Sequence, residues 1–133
     1  MTQTYHTCRE DNVTFTWKTN ITAFYFIDLI FVPHDQVTSN STNARSIIMS
    51  ITPSPERIWI DNRYVGRLSH SVRHGVYSFK LVSVSPKDRG YYHLLVAALE
   101  SFEGKSDLIV YAGELGLPFY RCTIDPGIAV YRV

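Results

Sequence analysis

Two stretches on either side of a short turn constrain this chain more than any other feature. VYSFKLVSV (76–84) alternates apolar and polar residues cleanly, YYHLLVAAL (91–99) reads as the strand that follows it, and the SPKDRG between them carries a proline and a glycine. Successive side chains of a strand point to opposite faces, so the first stretch has one face to bury and one to leave wet. A helix would instead need apolar residues three and four apart, a spacing that no segment here sustains. The same alternation runs through VTFTW (13–17), with Val13, Phe15 and Trp17 on one face and two threonines on the other.

FYFIDLIFV (24–32) reads as a longer strand ending at Pro33, and SDLIVYA (106–112) as another following EGK. RSIIMSI and, past the TPSP breaker, RIWI read as short strands near a sheet edge. HDQVTSNSTN (34–43) is polar and reads as an exposed loop. Eight or nine strands with turns at short intervals predict an all-β, antiparallel two-sheet sandwich. The 133 residues suit one domain, with a core over about 4–112 and an extension over 113–133 that adds a strand or wraps the base. Nine Tyr and seven Phe, with many β-branched residues, favour strands over helices.

Charge and patterning exclude several functions. A formal net charge of +1 gives no field for nucleic acid or an anionic membrane surface. The longest apolar run, AFYFIDLIFV, contains Asp28 and is about half of what a membrane-spanning helix needs. MTQTYHTCRED lacks the basic start and apolar stretch of a secretory leader, so a leader and any membrane anchor are expected to lie outside this sequence.

Of the five histidines, His70 and His74 are four apart, but SHSVRHGVY reads as strand, turn and strand rather than a helix that would align them. The acidic residues Asp28, Glu56, Asp61, Asp107 and Asp125 are scattered, and no nucleophile elbow or phosphate-binding glycine loop occurs. Nothing points to an enzyme, a cofactor or a metal.

Three Asn-x-Ser/Thr sequons, at Asn12, Asn20 and Asn40, point to the secretory pathway with those segments exposed. Cys8 and Cys122 stand near opposite ends. In an oxidising compartment they imply a bridge, within the chain or between chains; in a reducing one they would be free and buried.

Arg67 in RLSHS lies twenty-one residues before Asp88 in Asp88-x-Gly90-x-Tyr92, with an alternating strand and a Pro-containing turn between. This combination resembles the immunoglobulin V-set, and the resemblance covers about residues 4–112. It implies an ion pair between Arg67 and Asp88 across the base of the sandwich, a tyrosine-corner hydrogen bond from Tyr92, and inward-facing Tyr77, Phe79, Leu81 and Val84.

The chain departs from the family in its centre. Leu94 fills the slot of the strand F cysteine, and Trp17 ends the run that would carry its strand B partner, so the central disulfide is expected to be replaced by an indole packed on an isobutyl group. The family's strand C tryptophan is missing too, with Leu29 or Ile27 in its place. Losing the bridge costs about 2–5 kcal/mol, which burial of a Trp offsets at about 25 cal/mol per Å². In the same frame Cys8 ends the first strand at the base, where strand G also arrives by Ala112, so a Cys8–Cys122 bridge is expected.

V-set domains commonly bind protein partners through the G-F-C-C′ face and the loops at one end. Tyr25, Trp59, Tyr91, His93 and Phe102 are the candidates here, with LESFEGKS expected as the loop between strands F and G. A divergent V-type domain with sequons and a remote cysteine pair looks like a viral surface or lumenal glycoprotein. The mouse cytomegalovirus immune-modulator family implies a type I membrane glycoprotein of the ER lumen or cell surface. Its partner would be a host immune protein, MHC class I. The alphaherpesvirus glycoprotein E and I pair also looks similar, and implies instead an adhesion or structural pairing role with another viral subunit.

Overall fold

The computed structural model describes residues 2–34 and 45–111 throughout, and the backbone of residues 120–125 and 128–132. The strands are β1 (Gln3–Cys8), β2 (Val13–Lys18), β3 (Phe26–Pro33), β4 (Ser46–Pro53), β5 (Glu56–Ile60), β6 (Leu68–Arg73), β7 (Val76–Leu81), β8 (Gly90–Ala97), β9 (Phe102–Tyr111), β10 (Tyr120–Asp125) and β11 (Ile128–Arg132). They form a six-stranded sheet in the order β1-β9-β8-β3-β4-β5, a three-stranded sheet β2-β7-β6, and a separate ribbon of β10 and β11. All pairings are antiparallel except β1 with β9, which run parallel from Gln3↔Ser106 to Cys8↔Tyr111.

Burial follows the alternation residue by residue. Val13, Phe15 and Trp17 on β2, Tyr77, Phe79 and Leu81 on β7, and Tyr92, Leu94 and Val96 on β8 are all buried, while their neighbours are exposed or half-buried. Their inner faces join in one core between the two sheets, completed by Ile27, Leu29 and Phe31 of β3 and by Leu108 and Val110 of β9. Aromatic rings form its spine. Phe15 stacks on Tyr92 with centroids 4.5 Å apart, and Tyr92 meets Phe31 at 4.9 Å. Both Leu29 and Ile27 are buried where the family places its strand C tryptophan.

Three local features go beyond the sequence reading. The first is the predicted loop LESFEGKS, which shrinks to residues 98–101 because β9 already begins at Phe102. Gly104 falls within this added length. Read as a turn residue, it sits mid-strand opposite Leu94, with the Trp17 indole against its backbone. A Cβ there would lie 2.5 Å from indole Nε1 and 3.0 Å from Cγ, so glycine is what lets the ring lie flat on the β8–β9 seam.

The second is a bulge between β3 and β4. Leu29 pairs with Met49 but Ile30 with Ile47, so Ile48 is the extra residue. Both Ile48 and Met49 turn inward, and Ile47 is left exposed. The third lies in the extension, where β10 and β11 pair as an antiparallel hairpin.

Candidate protein-binding surface

The base of the sandwich is a polar corner. A single 3₁₀ turn, Pro86–Asp88, is capped by Ser85, whose hydroxyl accepts from Lys87 N–H while Asp88 accepts from Ser85 N–H at 2.8 Å. The other carboxylate contacts of Asp88 come from Arg67, Nη2 to Oδ2 at 2.7 Å, and Nη2 of Arg67 also donates to the carbonyls of Val82 and Ser83. Tyr92 donates its hydroxyl to the Asp88 carbonyl at 2.7 Å. Burial drives the Tyr92 phenol well above its ordinary pKa and that of Tyr64 to about 12, while the hydrogen bond with Asp88 raises Arg67 further. This corner fixes how the two sheets meet.

The outer face of the large sheet is different. Register places Glu103, Leu95, Asp28, Ser50 and Trp59 in one continuous row across β9, β8, β3, β4 and β5. The next row holds Lys105, His93, Ile30 and Ile47, and the third Asp107, Tyr91 and Val32. Polar groups on this face are held by one another. Ser50 donates to Asp28 at 2.6 Å, His34 Nε2 lies 2.5 Å from Asp107 Oδ1, and Lys105 Nζ sits 4.1 Å above the Tyr91 ring. The His34 ring meets the same Tyr91 edge to face at 5.2 Å. Burial, and after it the cations of Lys105 and Arg45, push the His93 imidazole below its ordinary pKa.

The sequence-derived candidates separate on this geometry. Tyr91 and His93 are half-buried in the middle of the face, and Trp59 is 52% exposed on its β5 edge strand. Tyr25 is 64% exposed but belongs to the loop end, beside Leu99. Phe102 pairs with Val96 and is partly buried against the core, at the first position of β9.

Missed from the sequence were Asp28 with Ser50, His34 with Asp107, and Lys105. The outward alternation Glu103-Lys105-Asp107 carries the signal for two of them once β9 is started at Phe102. Asn12 and Asn20 are exposed, and Asn12 Oδ1 accepts from Ser83 N–H, leaving its amide nitrogen outward. Asn40 lies outside the described residues. Cys8 is fully buried at the end of β1 and is disulfide-bonded; the side chain of Cys122 lies outside the described residues. No cluster of His, Cys, Asp and Glu suited to a metal occurs among the described residues, and no described helix is long and apolar enough to cross a membrane.

Two facing sheets, with β4 and β5 added to the larger one and the tyrosine corner at the base, define an immunoglobulin-like β-sandwich of the variable type. The fold is similar to the extracellular portion of mouse CD200RLa, with a TM-score of 0.64 at 11% identity over 86% of this chain and 58% of that one. This chain thus spans little more than half the length of that structure, and the likeness is one of fold. No family model and no curated protein matches the sequence.

Proposed function

We propose that this chain is the ectodomain of a membrane glycoprotein and binds a protein partner through the outer face of its six-stranded sheet. The observation that carries this is the row from Glu103 to Trp59: a half-apolar, half-charged surface five strands wide, ending in an exposed tryptophan on an edge strand. Aromatic anchors among polar neighbours are the composition of interface centres, and Trp and Tyr dominate binding energy where they occur.

The resemblance to the mouse cytomegalovirus immune-modulator family takes the proposal one step further, to MHC class I as the partner and to modulation of immune recognition as the purpose. A bridge between Cys8 and Cys122, the chain's two cysteines, belongs to the same proposal. It suits an oxidising compartment, because Cys8 is bonded and buried.

Surface plasmon resonance against folded class I molecules tests the partner. Trp59→Ala with Tyr91→Ala weakens binding by about tenfold or more, in line with hot-spot losses of 2 kcal/mol. A clean sensorgram from the wild-type chain ends the class I assignment and leaves the fold standing.

A further inference from the structure

Where the loop joining β2 to β3 meets the β8–β9 turn, Ile21, Phe24, Tyr25, Ala98 and Leu99 line an open apolar groove of about 380 Å³. Its walls are unusually bare, since Leu99 is 93% exposed and Tyr25 64%. Its floor is firm. Ile21 and Phe24 pack against the core, the Ile21 carbonyl accepts from the buried Tyr77 hydroxyl at 2.6 Å, and Thr19 N–H bonds Gly75 O at 2.9 Å.

This groove coincides with a glycosylation signal. Asn20-Ile21-Thr22 is a sequon; Ile21 and Thr22 are themselves lining residues, and Asn20, exposed, directly precedes them in the chain. A sugar ring has one face of C–H groups suited to an aromatic or branched aliphatic side chain, and its hydroxyls suit water. We propose that Asn20 carries an N-linked glycan whose first residues lie over Tyr25 and Leu99 and close the groove to protein partners. This rests on the ectodomain assignment above. It also explains how so apolar a surface stays soluble beside the face assigned to binding.

The test expresses the chain, behind a secretory leader, in mammalian cells as wild type, Thr22→Ala, which destroys the sequon, and Thr22→Ser, which keeps it. Peptide mass spectrometry is expected to find Asn20 glycosylated in wild type and Thr22→Ser only. The apolar dye ANS is expected to fluoresce about threefold more strongly with Thr22→Ala than with the other two, reverting when Leu99→Ser is added. Nuclear Overhauser contacts between the N-acetyl methyl and the Tyr25 ring give a second readout that does not depend on the variants. Unmodified Asn20 beside glycosylated Asn12 overturns the inference alone, as does equal dye binding by all three proteins with no such contacts. Absence of glycan at every sequon overturns the ectodomain assignment with it.

Discussion

The centre of this sandwich and its base solve one problem, joining two sheets, by opposite means. At the centre the Trp17 ring fills the space between sheets by shape, stacked against Phe15 with centroids 6.1 Å apart, meeting Phe79 edge-on, and flat on Gly104. Its N–H has no hydrogen-bond partner among the described residues, and neither does the hydroxyl of nearby Ser106. At the base nearly every polar atom is matched: Asp88 alone gathers Arg67, the Ser85 N–H and, through its carbonyl, Tyr92. A join made by volume tolerates unpaired polar atoms but not altered size. One made by polar contacts behaves the other way round.

The largest effect expected is at the centre. Trp17→Ala leaves a cavity between the sheets and lowers unfolding free energy by about 3–5 kcal/mol in urea titrations. A loss under 1 kcal/mol would mean that the indole is not what spans the core. Next comes the base: Asp88→Ala strands the Arg67 guanidinium and the Ser85 N–H, for a loss of about 2–3 kcal/mol.

Gly104→Ala is expected to cost about 1–3 kcal/mol by overpacking against the indole. The comparison sharpens when Trp17→Leu is added, because the clash disappears and the two losses become non-additive. Equal loss in both backgrounds would detach Gly104 from Trp17.

The smallest effect is a slope. His93 is held below its ordinary pKa in the folded chain, so on acidification the unfolded chain protonates first. Stability is therefore unaffected above about pH 6.5 and falls as pH drops through the folded value. His93→Gln flattens that fall in melting temperatures measured from pH 7.5 to 5, whereas neither the centre nor the base changes it.

The strands β2, β7 and β8 were legible because each has a single buried face, which period two exposes directly in residues such as Val13, Phe15 and Trp17. The Arg67–Asp88 corner was legible because its parts sit within twenty-two residues at a spacing the fold fixes. What escaped depends on neighbours distant in sequence. Gly104 looks like punctuation until Trp17, eighty-seven residues earlier, is laid upon it, and the phase change at Ile48 exists only relative to β3. The proposed binding face was half legible: Tyr91, His93 and Trp59 could be picked out as aromatic candidates. Phe102 could not be placed, because it stood in an expected loop, where alternation assigns no face.

Parallel pairing of β1 with β9 has a mechanical consequence. Tension applied between Gln3 and Tyr111 pulls the two strands along their length in opposite directions, so the register pairs from Gln3↔Ser106 to Cys8↔Tyr111 share the load at once instead of unzipping singly. Strain along that axis would be resisted as by a lap joint, with the bonded Cys8 at its far end.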